Sequence, residues 1–308
     1  MNGSRQTDAF LIHCGPHTLD CRPGARTLIM GILNVTPDSF ADGGRYLAAD
    51  DALRRVDEMV TEGVDIIDVG GESTRPRGRT YGRGADPVDV REEVSRVVPV
   101  IRQAAAAYPD LVISIDTYKS EVAEKALEAG AHLINDVTGL RHDRRVAAVA
   151  AENSAPLVVM HSVGEPGAMP HDFAYDDVVA TVIGALLQSV AVAEEHGVRD
   201  IVIDPGFGFG KRVVDNLALI ARLEAFKTLN RPILVGISRK SSIGSVLSST
   251  EAPVPVEERL YGSLAAAAVA IMNGASIVRS HDVAATRDVA RMVDALRAAS
   301  GPVLEVPS

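Results

Sequence analysis

Polar residues recur at one kind of place in this 308-residue sequence, directly after short runs of Val and Ile. Asn34 closes TLIMGILN, and Gly-Gly-Glu-Ser-Thr-Arg (70–75) follows DIIDV. Asp116 closes LVISID, Asn135-Asp136 closes HLIND, His161 follows PLVVM and Asp204 closes DIVID. Ser238-Arg239-Lys240 follows PILVGI, and Arg279-Ser280-His281 follows SIV. One such residue would be unremarkable, because Asp, Asn and Ser often start the next helix, and that explanation suffices for Asp136. Eight in series are harder to explain by capping, since buried polar groups are costly unless paired with each other or with a ligand. Asp116, Asn135 and Asp204 together offer acceptors and donors suited to a flat, nitrogen-rich heterocycle with an amino group and ring N–H groups. Lys240, Arg279 and His281 gather positive charge, and the forked guanidinium matches phosphate oxygens. The glycines of DPGFGFGK (204–211) resemble a phosphate-cradling loop. Their spacing is neither GxGxxG nor GxxxxGK, so alone they carry little weight.

The elements that must position these residues are legible from hydrophobic pattern. Strands are expected at 27–35, 64–71, 111–117, 132–139, 156–162, 200–206, 232–238 and 276–281. They are rich in Val and Ile and lack strict alternation, as strands buried on both faces of a parallel sheet do. Helices are expected at 50–63, 90–107, 119–130, 143–153, 174–196, 214–229, 256–273 and 284–299, with Gly63 and Gly130 as stops. Eight βα units in series without a linker predict a single (β/α)8 TIM barrel. An open doubly wound sheet is the alternative, because periodicity cannot see closure. Residues 10–21 read as a β-hairpin turning near Gly15–Pro16 and placed to cap the barrel's N-terminal mouth. Residues 1–308 are thus expected to form one domain, with 1–26 as tail and hairpin. In such a barrel the C-terminal strand ends converge on one mouth, and the region after strands seven and eight is the usual phosphate corner.

Composition bounds the partners. With 31 Lys and Arg against 41 Asp and Glu the formal charge is -10, a field that repels nucleic acid and anionic membrane. An anionic substrate must therefore be drawn by a local cationic pocket. The apolar run at 264–272 is far shorter than the ~20 residues of a membrane span. The first 13 residues lack a secretory pattern. Cys14 and Cys21 have no Cys/His cluster around them, which argues against a thiolate metal site and for two structural thiols in a reducing compartment. A cytoplasmic protein is expected.

The motifs then match a known family. GILNVTPDSFADGG (31–44) is similar to the first signature of dihydropteroate synthases and DIIDVGGESTRP (65–76) to the second. SIDT, NDVTG, MHS, DPGFGFGK, GISRKSSIG and VRSHDV follow in the family's order and spacing, so that the resemblance spans roughly 27–298. It implies a transferase of folate biosynthesis and a sulfonamide target. A pterin pyrophosphate would lose pyrophosphate, and the amine of 4-aminobenzoate would take over the exocyclic methylene to give dihydropteroate. Carried over by residue, the resemblance assigns Asp116, Asn135, Asp204 and Lys240 to the pterin, with Met160 against its ring. It assigns Asn34 to Mg2+ on the pyrophosphate, and Thr74, Arg279 and His281 to the pyrophosphate itself. Phe209, Pro76, Thr74 and the Ser241 backbone would surround 4-aminobenzoate, Arg75 would help the second loop to close, and Phe40 and Asp42 fall in the active-site lid. A homodimer is also implied. Two departures stand out: ESTRPRGRTYGRGADPVDVREE (72–93) is longer and more basic than the family's second loop, and MHSVGEPGAMP (160–170) stands where the family more often has a second Met and a later Gln.

Other readings of single residues remain open at this point. Phe207 and Phe209 could be plain packing residues, and His161 could merely orient a neighbour. Lys240 could be a Schiff-base lysine if an apolar pocket lowered its pKa, but Arg239 and the anionic partners favour a charged, substrate-binding lysine. The chain as a whole could be a pterin-binding methyltransferase, which should lack NVTPDSF, or a paralogue that only binds pterin.

Overall fold

A computed structural model describes residues 10–36, 45–72, 88–164 and 173–299. A two-stranded antiparallel hairpin, β1 (Leu11–Cys14) and β2 (His17–Asp20), opens the chain. Eight strands follow: β3 (Leu28–Asn34), β4 (Ile66–Gly70), β5 (Val112–Asp116), β6 (Leu133–Asp136), β7 (Leu157–Met160), β8 (Ile201–Asp204), β9 (Leu234–Gly236) and β10 (Ile277–Ser280). Every adjacent pair in the order β8-β7-β6-β5-β4-β3-β10-β9 is parallel. A parallel bridge between Ile203 and Ile233, with Ile203 N donating to Pro232 O at 3.0 Å, joins the two edges. The sheet is therefore a barrel, and the open-sheet alternative falls away.

The helices are α1 (Arg45–Glu62), α2 (Val90–Ala107), α3 (Ser120–Glu128), α4 (Arg145–Glu152), α5 (Val178–Glu195), α6 (Val213–Ala221), α7 (Ser241–Leu247), α8 (Leu260–Met272) and α9 (Val283–Ala299). Local chemistry sets their ends. Asp89 caps α2 by accepting from Glu92 N at 3.0 Å, and Asp177 caps α5 by accepting from Val179 N and Ala180 N. Gly63 and Gly130 follow α1 and α3 with φ of +85° and +112°, a conformation that favours glycine. Two expected helices are shorter than their pattern: 214–229 splits into α6 and a 3-10 turn (Leu223–Leu229), and 256–273 begins as a 3-10 turn (Val256–Arg259). Helix α7 escaped the pattern because seven residues with three Ser and one Gly show little periodicity or helix propensity. Helix α5 is long and apolar enough to cross a membrane by length and composition. In the fold it packs on β7, β8 and α6, burying Val182, Leu186, Val190 and Ala193.

The strands carry two sets of side chains with period two. Ile67, Val69, Ile113, Ile115, Ile134, Val159 and Ile203 face outward into the core shared with the helices. Met30, Ile66, Val112, Leu133, Val158, Val202, Leu234 and Ile277 face inward at the N-terminal end and pack with Ile12, Cys14, Leu19 and Cys21 of the hairpin. The hairpin thus seals the bottom of the barrel. Moving two residues further along the inward-facing rows reaches Ile32, Asp68, Ser114, Asn135, Met160, Asp204, Gly236 and Arg279. The mostly polar layer of the barrel follows from strand pleat.

Candidate active site

Cross-strand register sets the upper layer side by side: Asn34 opposes Gly70, Gly70 opposes Asp116, Asp116 opposes Asn135, and Met160 opposes Asp204. The centre of the layer is Asp68, fully buried on β4. Its Oδ2 accepts from Asn135 Nδ2 at 3.0 Å and from Arg279 Nε at 2.6 Å. Arg279 Nη2 donates to Asp116 Oδ2 at 2.7 Å. The remaining oxygens, Asp68 Oδ1 and Asp116 Oδ1, are buried without a hydrogen-bond partner. Buried acceptors in this condition are rare in native proteins and call for an explanation. A ligand with converging N–H groups supplies one.

Burial dominates the titration of this layer. It pushes the Asp116 carboxyl up to about 7, with Arg279 opposing and Asp68 reinforcing the shift. Asp204, whose Oδ1 accepts from Gly206 N at 2.7 Å, is raised by burial against the pull of Lys240. Burial would lower the Arg279 guanidinium, yet Asp68 and Asp116 hold it above its ordinary value. Arg279 is thus a cation ion-paired with both Asp68 and Asp116 at the mouth.

Lys240 lies 4.2 Å above the centroid of the Phe209 ring and donates to the Phe207 carbonyl. Burial, opposed by Asp204, pushes it down to about 7. Dehydration works against its charge, while Asp204 and Asp116 work for it. Arg239 does not assist, because its guanidinium pairs with Asp282 at 2.6 Å and its backbone sits at φ +56°. The carbonyl of Arg239 accepts from buried Arg259 at 3.0 Å, which anchors the turn that delivers Lys240.

Met160 joins Tyr118 and Val137 in a small apolar cluster, with Phe209 packed against it. This is one wall of the mouth. Phe207, by contrast, is fully buried in the helix-side core, so the packing reading holds for it. Asp136 serves its own turn: it accepts from Thr138 N and Leu140 N at 2.7 Å each, in a loop rather than at a helix start. His161 is buried with Nδ1 unpartnered, and burial followed by Lys211 holds its pKa down at about 3. His281 is exposed at the rim, its Nδ1 3.1 Å from Ser238 Oγ, and Ser241 starts α7 beside Lys240. Phe40, Asp42, Thr74, Arg75, Pro76 and the extra segment 77–86 lie outside the described residues.

Three residues escaped the sequence reading. Asp68 had a usable signal, an acid inside the otherwise apolar strand IIDVG. Lys119 bridges buried Glu72 and Glu93 and also donates to Val88 O at 2.6 Å, which ties together the two sides of 73–87. Lys211 is buried and donates only to main-chain carbonyls. Lys211 closes the quoted motif DPGFGFGK, but nothing in residue type or spacing announced the burial or the partners of either lysine.

A barrel whose C-terminal mouth combines carboxylates, an amide, two cations and an aromatic wall belongs to the class of (β/α)8 enzymes for polar ring substrates. The comparisons narrow the class. The sequence model of the family described as "Pterin binding enzyme" matches residues 30–281. The chain is 44% identical over 288 residues to dihydropteroate synthase of Bacillus subtilis (strain 168), covering 93% of each, and 45% identical to that of Escherichia coli (strain K12), covering 87% of this chain and 90% of the other. Among solved structures, Xanthomonas albilineans dihydropteroate synthase with 4-aminobenzoic acid shares 40% identity at a TM-score of 0.83, covering 97% and 99% of the two chains. The same enzyme in complex with 7,8-dihydropteroate gives 37% and 0.79, covering 96% and 100%. This chain belongs to the dihydropteroate synthase family.

Proposed function

We propose that this chain condenses 6-hydroxymethyl-7,8-dihydropterin pyrophosphate with 4-aminobenzoate, giving 7,8-dihydropteroate and pyrophosphate. The observation that carries the reading is the pair of buried, unpartnered carboxylate oxygens of Asp68 and Asp116 beside Asn135, Asp204 and Lys240. A pterin's amino group and ring N–H groups are the donors such acceptors lack.

The reaction breaks the methylene C–O bond and forms a C–N bond, and the amine sheds its proton afterwards. An arylamine is neutral at pH 7, so no base is required before attack. The barrier lies in charge separation, positive on the pterin methylene and negative on the departing pyrophosphate. Preorganised groups aimed at those charges are the natural catalysts. Asp116 and Asp204 hold the pterin and face its developing cation, Lys240 and Arg279 supply positive charge at the same rim, and Met160 and Phe209 exclude water from one side. Thr74, Arg75, Pro76, Ser241, His281, Phe40 and Asp42 complete the proposed site by family resemblance.

Mg2+ belongs to the proposal, with Asn34 as its protein ligand. Among the described residues no three of His, Cys, Asp or Glu gather as a metal cage. A single carboxamide oxygen nevertheless fits, because Mg2+ keeps several waters and binds through few protein oxygens together with substrate phosphates. Asn34 Oδ1 sits at the mouth, on the Gly70 side of Asp116. When bound there, Mg2+ would neutralise charge on the leaving pyrophosphate.

A homodimer and a cytoplasmic location are part of the same reading. Val214 and Leu217 on α6, Val246 and Leu247 on α7, and Tyr261 and Val269 on α8 are exposed on neighbouring helices, a face suited to a second copy. Light scattering should then give twice the chain mass. Cys14 and Cys21 are free thiols that burial pushes up to about 12, in keeping with a reducing compartment. The test of the function is pyrophosphate release from the pterin pyrophosphate, expected only when 4-aminobenzoate is supplied. Release without 4-aminobenzoate, or none with it, would overturn the assignment.

A further inference from the structure

The segment between β8 and α6 contains no helix or strand, yet it is tightly specified. Gly206, Gly208 and Gly210 stand at φ of +71°, +83° and +67°, and a Cβ on Gly206 would lie 1.8 Å from the His161 carbonyl oxygen. Two carbonyls of this loop and that of His161 converge on Lys211 Nζ, which donates to Gly206 O at 2.8 Å, Phe209 O at 3.1 Å and His161 O at 3.2 Å. Three carbonyls match the three donors of an ammonium. Among the described residues no carboxylate takes a hydrogen bond from this buried lysine, whose hydrogen bonds all go to main-chain carbonyls around the loop. Asn216 supports the same loop, accepting from Gly208 N at 2.7 Å and donating to Lys211 O at 3.2 Å.

The loop presents two groups to the mouth. The Phe207 carbonyl accepts from Lys240 Nζ, and the Phe209 ring lies beneath that same nitrogen and against the Met160 wall. The carbonyls of Gly206 and Phe209, the two that Lys211 grips within the loop, bracket these groups.

We infer that Lys211 is a positioning residue for the reaction, acting through the 206–209 loop to set the Phe209 ring and the carbonyl that orients Lys240. The inference rests on the reading of the mouth as the pterin and 4-aminobenzoate site. The hydrogen bonds of Lys211 Nζ go to main-chain carbonyls of this loop and of His161. A merely structural lysine would lower stability without a preference for any substrate group. A positioning lysine must lose its effect once the group it positions is gone.

The test is a double-mutant cycle of Lys211→Met and Phe209→Ala, read as KM for 4-aminobenzoate and kcat in the pyrophosphate-release assay. With Phe209 present, Lys211→Met should raise KM for 4-aminobenzoate at least tenfold. In the Phe209→Ala background it should change KM less than twofold. Equal effects in the two backgrounds, or no effect in the first, would overturn the inference. Lys211→Gln, which retains two donors, serves the same cycle with the same two outcomes should the Met variant fail to fold by circular dichroism. Activity of the parent chain tests the underlying reading separately, because a parent without 4-aminobenzoate-dependent release refutes the site assignment before the cycle is measured.

Discussion

The two ends of the barrel are made from the same eight strands, with opposite uses of the inward-facing row. At the N-terminal end that row is Met30, Ile66, Val112, Leu133 and their neighbours, closed over by Ile12 and Leu19 of the hairpin. Two residues further along, it becomes Asp68, Ser114, Asn135 and Asp204, with orphaned oxygens on Asp68, Ser114 and Asp116. The lower layer gains free energy from every group it buries, roughly 25 cal/mol for each Å² of apolar surface. The upper layer gives some of it back, since dehydrated carboxylates and lysine are poorly solvated until a ligand arrives. Stability and binding are thus concentrated at opposite ends of one sheet, and substitutions can separate them.

Arg279→Ala should have the largest effect, because it strips the counter-ion from both Asp68 and Asp116. Breaking a buried ion pair from one side costs about 3–5 kcal/mol, measurable by denaturant unfolding. Free pterin and its pyrophosphate should both bind less well. A cation serving pyrophosphate alone would spare free pterin, so calorimetry with the two ligands decides between the roles.

At the other end, Ile12→Ala should cost roughly 2–5 kcal/mol of stability through lost burial and the cavity left behind, while kcat and KM stay at parent values wherever the variant remains folded. A fall in kcat of more than about threefold would mean that the bottom layer is coupled to the mouth.

Asp204→Asn should invert that result. It should leave the unfolding free energy unchanged or slightly higher, and should weaken pterin binding by roughly 1–3 kcal/mol, about 5- to 150-fold. Near-normal binding by calorimetry would remove Asp204 from the site.

Lys240→Met sharpens the comparison through pH. The folded-state pKa of Lys240 is about 7 against an ordinary value of 10.5, so the folded state binds fewer protons than the unfolded state between those limits. The contribution of this lysine to stability is therefore present above about pH 10.5 and is lost as pH falls through 7. The Met variant should be more stable than its parent below pH 7, and the advantage should shrink as pH rises towards 10.5. Asp116 works in the other direction, its raised pKa removing stability as pH rises from 3.8 to about 7. Unfolding of parent and variant across this range would show whether the mouth is as dehydrated as its geometry requires.

Local pattern determined much of this protein. The eight strands, the hairpin and most helices were legible because strand pleat, helix period and Gly or Asp punctuation act over a few residues. Asp116, Asn135, Asp204, Lys240 and Arg279 were legible because polar residues ending apolar strands contradict their surroundings. Tertiary structure alone decided the rest. Closure depends on Ile203 meeting Ile233, a contact that no periodicity encodes. The pairing of Arg279 with Asp68 and Asp116 joins residues 211 and 163 positions apart, so the sequence could not show that this cation is ion-paired. Nothing in one dimension reveals the burial of Lys211 and Lys119, and only the fold dehydrates them and supplies their oxygen partners. The protonation balance of Lys240 was likewise beyond the sequence. Dehydration is a property of everything packed around a group, and in this mouth it outweighs the neighbouring charges that the sequence does reveal.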